Sequence, residues 1–290
     1  MKALSDLLHE ICPPDEAARR AARVRWDDLA KPLGSLGLLE QAIGQIAAIT
    51  GSPEVTLERR ALAVLCADNG VVAQGVTQTD SSVTAAVARA LGAGESTVCH
   101  MARPARCQVI PVDMGILDFS GAPGVLDRRV QNGTGDITKG PAMSRQACIQ
   151  AVETGADLAR ELKEQGFHIL ATGEMGIGNT TTASAVVSVL LHLPPRRVTG
   201  RGAGLSDAGL ERKVRAVETA ISVNRPDGND PLDVLAKVGG LDLAGLCGLF
   251  LGGARYGLPV VADGLISSAA ALCAVRLCPA ARGAVLASHV

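Results

Sequence analysis

Short apolar runs alternate with longer amphipathic segments along most of the chain. The runs LAVLCAD (62–68), QVIPVDMG (108–115), FHILATGE (167–174) and LPVVADG (258–264) each carry an acidic residue at or near their end. Their length and near-continuous apolar character predict buried strands. Buried strands of this kind are typical of parallel sheets, which are covered on both faces.

The segments between these runs predict helices. Apolar residues recur at helical spacing in 83–92, 144–166 and 206–224, and Ser144 and Ser206 are placed to cap the last two. Strands that alternate with helices predict an α/β fold with a parallel sheet and helices on both faces. The first 50 residues instead favour helices, with a turn over 31–40 (KPLGSLGLLE), and 118–142 has the composition of a long glycine-rich loop.

A glycine-rich turn, GEMGIGNTTTAS (173–184), joins one predicted strand to an apolar run of helix length. Glycine lets backbone N–H groups approach a ligand, and a helix N-terminus favours a phosphate. A second loop of this type, TGRGAGLSDAG (199–209), also enters a predicted helix. Two such loops favour a phosphorylated ligand, although either loop alone also fits a tight connection without a ligand.

Acidic residues are expected at the edge of the sheet where ligands collect. Asp68, Asp113, Glu174 and Asp263 all fall at the carboxyl ends of predicted strands. From the pattern alone, Asp68 also fits an exposed acid without a role. Glu174 likewise fits a structural acid that caps its own loop.

Composition narrows the partners to small molecules. The net charge of −1, with one Trp, one Tyr and three Phe, argues against nucleic acid or an acidic membrane surface as a partner. The eight cysteines are scattered without a C-x-x-C pair, which predicts free thiols in a reducing compartment. The N-terminus lacks an apolar signal core and no apolar stretch suits a membrane span, so we expect a cytoplasmic protein.

Familiar phosphate motifs are absent. The chain contains neither the dinucleotide fingerprint nor the Walker A sequence, and no paired acids precede a Thr- and Gly-rich loop as in transferases with a pyrophosphate donor. The pattern therefore leads to a phosphate-binding α/β protein with an acid beside the phosphate, and no further.

Seven longer sequence motifs resemble those of a known family. In order they are KPLGSLGLLE, ADNGVVAQGV, GPAMSRQ, GEMGIGNTTTASAV, TGRGAGL, DPLDVLAKVGGLDLAGLCGLFLGGA and GLPVVADGLISSAAAL. They resemble the nicotinate-nucleotide–dimethylbenzimidazole phosphoribosyltransferases over about residues 2–289. The resemblance implies transfer of phosphoribose from nicotinate mononucleotide to 5,6-dimethylbenzimidazole, which gives nicotinate and α-ribazole 5′-phosphate in cobalamin biosynthesis. It also implies a homodimer without metal or cofactor, and a Rossmann-like large domain (26–290) beside a small helical domain that includes 1–25.

The resemblance also implies roles for individual residues. Glu174 is expected to be catalytic, and the segment 75–88 is expected to form the wall that receives the acceptor base. By helical pattern alone, Lys213 would be a solvated charge, and only the resemblance places it at the donor. The residues implied at the donor are Gly176, Asn179, Thr180, Gly202 and Lys213, and those implied at the acceptor base are Asp68, Thr79 and Val87.

The chain departs from the family pattern at three places. Asn69 stands where the family commonly has histidine, and no glutamine lies near Val87. The general-base glutamate of the family would lie beyond Val290, so we expect slow transfer by the chain as written, with Glu174 as a substitute base. Two alternatives stay open: a nucleotide-binding protein of this fold that does not catalyse transfer, and an oxidoreductase, which the missing dinucleotide fingerprint disfavours.

Overall fold

A parallel sheet forms the centre of the protein. The structure is a computed structural model that describes residues 3–289, so the expectation about the chain end at Val290 falls outside the described residues. All paired strands run parallel, as the alternation of strands and helices predicts. The six strands are β1 (Arg60–Ala67), β2 (Cys107–Gly115), β3 (Leu126–Asp127), β4 (Ile169–Met175), β5 (Val260–Ala262) and β6 (Val285–Ala287), in the spatial order β3-β2-β1-β4-β5-β6.

Helices connect and cover these strands, and two short 3-10 helices lie at Gly70–Gln74 and Pro279–Ala284. None of the described helices is long and apolar enough to cross a membrane. The α-helices are α1 (Leu4–His9), α2 (Glu16–Asp27), α3 (Leu38–Thr50), α4 (Ser82–Gly92), α5 (Thr97–Ala102), α6 (Arg145–Glu164), α7 (Asn179–Leu190), α8 (Pro195–Val198), α9 (Asp207–Asn224), α10 (Pro231–Val238), α11 (Leu241–Tyr256) and α12 (Leu265–Leu277).

The predicted elements are confirmed with small shifts at their ends. The hydroxyl of Ser144 accepts from the backbone N–H of Ala147 at 3.1 Å, and Ser206 does the same for Gly209 at 3.2 Å, so both serines cap their helices as predicted. The prediction of a loop over 118–142 is wrong at one point. There β3 pairs with the end of β2 and extends the sheet by a strand of two residues, too short to leave an apolar run in the sequence.

The apolar helix α11 packs closely against α6 and carries the sheet-facing core. A side chain at Gly248 would meet the carbonyl oxygen of Val152, so glycine is needed for this approach of the two helices. The packing buries the first turn of α11 completely, including Asp242. As a result, an acidic side chain is held inside the protein next to the end of β1.

The carboxyl ends of the central strands meet at one edge of the sheet, as expected for parallel strands. Asp68 follows β1, Asp113 lies near the end of β2, Glu174 near the end of β4, and Asp263 follows β5. The alternation of strands and helices therefore located this edge correctly.

Two other expectations concern the chain as a whole. All eight cysteines are free, as predicted, and six of them are buried, whereas Cys12 is exposed and Cys107 is half-buried. The division into a small helical part and a large domain stays a prediction, and its expected boundary after residue 25 falls within α2.

Candidate active site

The site is organised by the turn between β4 and α7. Gly178 has φ +96°, a conformation that favours glycine, and it precedes the first residue of α7, Asn179. A side chain at Gly176 would collide with the carbonyl oxygen of Ala67 at the end of β1. The turn therefore lies directly against the neighbouring strand, and this contact requires glycine at position 176.

Asn179 joins two acidic side chains beneath this turn. Its side chain is 5 % exposed, and its amide nitrogen donates to Oε2 of Glu174 and, at 2.9 Å, to Oδ2 of Asp242. An asparagine amide carries two hydrogens, so these two bonds use both of them. Only the amide oxygen of Asn179 remains for a ligand in this arrangement.

The environment of Glu174 makes its carboxyl group a weaker acid than usual. Burial, followed by the nearby charge of Asp242, raises the pKa of Glu174 to about 7, while the hydrogen bond from Asn179 acts in the opposite direction. A carboxyl group with this pKa exchanges a proton readily near neutral pH, as general acid–base catalysis requires.

Glu174 lines a cavity of about 730 Å³ that lies over one face of β1, β4 and β5. Most of the wall is apolar, and Glu95, Glu174 and Asp263 supply its acidic groups. A pocket with apolar walls and few polar groups suits a largely apolar ring that carries one ionisable atom. The apolar side chains of the wall include Leu62, Val64, Val87, Leu91, Val98, Met175 and Val261.

A buried cation lies on the other side of the first turn of α7. Lys213, on α9, is only 1 % exposed. Its ammonium group donates to Oγ1 of Thr180 at 2.8 Å. Burial lowers the pKa of Lys213 to about 8, so the group is still a cation at neutral pH. A side chain at Gly202 would come within 3.3 Å of the ammonium nitrogen, so glycine keeps this approach open.

The buried charge of Lys213 has no carboxylate partner among the described residues, 3–289. An isolated buried cation is costly, and an anion that reaches it would gain a charge-assisted hydrogen bond. The arrangement of Lys213, Thr180 and Gly202 is therefore suited to one oxyanion.

The structure brings most of the predicted site residues together in two groups. In the first group, Glu174 and Val87 line the same cavity. In the second group, Thr180 and Gly202 lie beside the ammonium group of Lys213. Gly176 and Asn179 connect the two groups through the turn. The prediction from helical pattern alone that Lys213 is solvated is wrong, because α9 packs this face against α7.

Asp68 and Thr79 lie apart from the cavity of Glu174. Asp68 is buried and accepts from Oγ1 of Thr84 at 2.6 Å and from the backbone N–H of Leu117 at 2.8 Å, and it lines a separate cavity of about 560 Å³. Thr79 is exposed, and its carbonyl oxygen accepts from Thr77. Asp113 forms an ion pair with Arg129 at 2.8 Å.

Asp242 was not identified from the sequence. It is 0 % exposed, and burial raises its pKa to about 6. The words GGLDLAGLCGLF contain a signal that could have revealed it, since a charged residue inside an otherwise apolar helix must be buried with it. Asn69 is also buried beside the turn, where its amide nitrogen lies 3.5 Å from the carbonyl oxygen of Ile177.

Known proteins match nearly the whole chain. The family model described as phosphoribosyltransferase matches residues 11–290. A nicotinate-nucleotide–dimethylbenzimidazole phosphoribosyltransferase of Ruminiclostridium cellulolyticum is 47 % identical over 92 % of this chain and 76 % of its own length. The protein of the same name from Acetivibrio thermocellus is 44 % identical over 100 % of this chain and 80 % of its own length.

A solved structure agrees with these matches. The crystal structure of CobT from Thermus thermophilus superposes with a TM-score of 0.88 at 39 % identity, and the match covers 94 % of this chain and 82 % of that one. The similarity therefore extends over the sheet, the glycine turn and the helices that hold the site.

Proposed function

This chain belongs to the nicotinate-nucleotide–dimethylbenzimidazole phosphoribosyltransferase family, and we propose that it transfers phosphoribose from nicotinate mononucleotide to 5,6-dimethylbenzimidazole. The products are nicotinate and α-ribazole 5′-phosphate. In this reaction the bond between the ribose anomeric carbon and the nicotinate nitrogen breaks, and its electron pair leaves with nicotinate. The ring nitrogen of the acceptor that bears the lone pair forms the new bond to the same carbon, and the proton on the other ring nitrogen leaves.

One observation carries the proposal. Two consecutive residues at the start of α7 hold the two chemical groups that the transfer needs, since Asn179 bonds Glu174 and Thr180 bonds Lys213. An acid on a cavity wall and a cation suited to a phosphate are therefore fixed within one helical turn of each other. A phosphorylated ribose bound at the cation would present its anomeric carbon toward the cavity.

For the donor, we assign the phosphate to Lys213, Thr180 and Gly202. The N-terminus of α7 adds a favourable dipole, worth about 0.3–1 kcal/mol for an anion. Gly176 and Asn179 then lie beside the ribose. Because Asn179 has already committed both amide hydrogens, its oxygen is the atom that remains to accept from a ribose hydroxyl.

For the acceptor, we assign the aliphatic cavity that contains Val87 and Glu174. The benzimidazole ring is flat and mostly apolar, and the Glu174 carboxylate accepts the proton that leaves its nitrogen. A positioned base of this kind contributes roughly 10²–10⁴-fold to a proton transfer.

Asp68 and Thr79 have different roles at the proposed acceptor site. Asp68 accepts from the hydroxyl of Thr84, which in turn accepts from the backbone N–H of Ile177 at 3.2 Å in the glycine turn. This chain of bonds supports the turn from behind, so Asp68 acts as a support of the wall. Thr79 lies in the exposed segment before α4, where contact with the base requires this segment to close over the cavity.

Product formation tests the proposed activity. The protein is incubated with nicotinate mononucleotide and dimethylbenzimidazole, with and without EDTA, and α-ribazole phosphate is sought by mass spectrometry. The product is expected in both samples, because the cationic nicotinate leaves without the help of a metal. Binding of the nucleotide without any product would favour the non-catalytic alternative, and reduction of a dinucleotide would favour the oxidoreductase.

We further propose that the protein is a cytoplasmic homodimer. The eight free cysteines support a reducing compartment, and the family resemblance supports the dimer. Several leucines are exposed between α2 and the start of α3, including Leu33 at 74 % and Leu38 at 72 %, and an interface would cover them. Sedimentation equilibrium should give twice the mass of the chain.

A further inference from the structure

A single amide bridges two acids, the half-buried Glu174 at the cavity wall and the fully buried Asp242. Asn179 donates one hydrogen to each carboxyl group, with a nitrogen–oxygen distance of 2.9 Å to Asp242. Among residues 3–289, no lysine, arginine or histidine forms an ion pair with either group. The neutral amide is therefore the group that links the two acids.

Two carboxylates that accept from the same amide nitrogen are close, and because one of them is fully buried their like charges repel each other. Retention of one proton between them relieves the repulsion, as in other close pairs of carboxyl groups. The remaining bonds of Asp242 fix it in place, since its Oδ1 accepts from the backbone N–H of Leu243 at 2.9 Å. Asp242 therefore cannot turn away, and its Oδ2 is aimed at Asn179.

The neighbours of the pair reinforce this arrangement. Gly240 and Gly176 leave no room for a side chain beside Asp242, because an added carbon would lie 2.5 Å from Oδ1 at Gly240 and 3.1 Å from Oδ2 at Gly176. Water therefore has little space beside the Asp242 carboxyl group.

In the described part of the chain, the other ionisable groups with the largest effect on the pair are acids. Asp263, beyond β5, faces Glu174 across the cavity, and Asp68, beyond β1, acts on Asp242. Cys66 of β1 stays neutral, because burial raises its pKa to about 12. These groups add negative charge or none, so they favour the proton that the pair retains.

We propose that Asp242 is a positioning residue that acts through Asn179, fixing the Glu174 carboxyl group at the cavity wall and making the two acids share one proton. The proposal rests on the transfer function above for its catalytic meaning, while the shared proton is a property of the folded protein itself. The role of Asp242 is to keep Glu174 a stronger base than an ordinary glutamate. Asp242 does not touch the cavity, since it is fully buried.

Asp242 and Asn179 have opposite effects on the pKa of Glu174. The charge of Asp242 raises the pKa of Glu174, whereas the hydrogen bond from Asn179 lowers it. Asp242→Asn should therefore lower the titration midpoint of Glu174, by about one pH unit. Asn179→Ala keeps both acids but removes the link, and should raise the same midpoint.

Carbon-13 NMR of the side-chain carboxyl groups measures this without catalysis. The protein is labelled at the glutamate and aspartate carboxyl carbons, and the Glu174 signal is identified as the one that Glu174→Gln removes. The matched control is Asp233→Asn, which also changes an aspartate in the first turn of a helix but one paired with Lys237 at 2.9 Å. This control should leave the Glu174 midpoint unchanged.

Opposite shifts in Asp242→Asn and Asn179→Ala support the proposal. If Asp242 only caps its helix, Asp242→Asn leaves the Glu174 midpoint unchanged, and that result overturns the proposal. Should Asp242→Asn fail to fold, the wild-type titration decides, because a Glu174 that titrates at the value of an exposed glutamate overturns the proposal as well. Failure of product formation bears on the transfer function only, because the NMR midpoint needs no turnover.

In an active preparation, kinetics give a second readout. The acid limb of the kcat profile should move to lower pH in Asp242→Asn, with KM for nicotinate mononucleotide unchanged. A loss of kcat without a shifted limb would mean that Asp242 supports the fold only.

Discussion

The ammonium group of Lys213 donates to Oγ1 of Thr180 at 2.8 Å and thereby joins α9 to the first turn of α7. The neighbouring residue, Asn179, bonds the Glu174 carboxyl group from the same turn. The cation that we propose for the phosphate and the acid that we propose as the base are thus connected through adjacent backbone positions. Changes on either side should therefore have separable effects on donor binding and on transfer.

Loss of the Lys213 charge should weaken binding of nicotinate mononucleotide and leave binding of nicotinate unchanged. Charge-assisted hydrogen bonds are worth about 1.5–3 kcal/mol, so Lys213→Met should weaken nicotinate mononucleotide binding roughly 10–100-fold. Nicotinate lacks the phosphate and should bind as before. Calorimetry measures both ligands, and Arg215→Ala, an exposed charge on the same helix, is the control. Equal losses for both ligands would contradict the assignment of the phosphate.

Donor affinity should also fall at alkaline pH. Burial lowers the pKa of Lys213 to about 8, so the free protein loses this cation as the pH rises through that value. The ligand phosphate, with its second pKa near 6, keeps its charge over the same range. Titrations between pH 7 and 9.5 should therefore show weakening affinity in the wild type. Lys213→Met should give a nearly flat profile, and a parallel decline in the variant would assign the effect to another group.

The glycine turn should not tolerate even one added carbon. Gly176→Ala places a methyl group against the carbonyl oxygen of Ala67 and the side chains of Asn69 and Asp242. Overpacking of this kind costs about 1–3 kcal/mol. Gly140→Ala is the control, because nothing lies within 4 Å of the added carbon there. Urea unfolding should separate the two variants, and equal stability would mean that the turn adapts freely.

How much of this could be read from the sequence differs between fold and site. The strands and the edge where they end were predictable because buried runs such as 62–68 contain almost no polar residues. The short strand Leu126–Asp127 was not, since two residues carry no periodicity and their pairing depends on β2. The local sequence pattern therefore predicted the elements that bury many side chains. It missed β3, which forms only by pairing with β2.

Within the site, the glycine turn was predictable from its composition. The contacts of its side chains with distant residues were not. Asp242 lies 63 positions from Asn179 and meets it only because α11 packs against α6 and the end of β1. Lys213 illustrates the same limit, since its helical pattern alone suggested a solvated charge. Long-range packing decides both cases, and a single sequence contains no direct record of it.

The buried acids should make stability depend on pH. Burial raises the pKa of Glu174 from 4.5 to about 7, so the folded state holds a proton that the unfolded state releases between these values. The stability that this proton contributes is present below about pH 4.5 and is lost as the pH rises through about 7. Glu174→Gln should remove this loss, which is on the order of 2 kcal/mol between pH 5 and 8. Urea unfolding of both proteins at the two pH values measures it, and identical pH dependence would show that Glu174 titrates normally.

The central claim is that the Glu174 carboxylate accepts the acceptor's proton at the cavity wall. The most direct test is the single-turnover rate of α-ribazole phosphate formation in the wild type and in Glu174→Gln, with nicotinate mononucleotide binding measured on the same samples. The account predicts a loss of roughly 10²–10⁴-fold in rate with donor affinity unchanged. A variant that forms product at the wild-type rate, with the donor bound equally well, would contradict it.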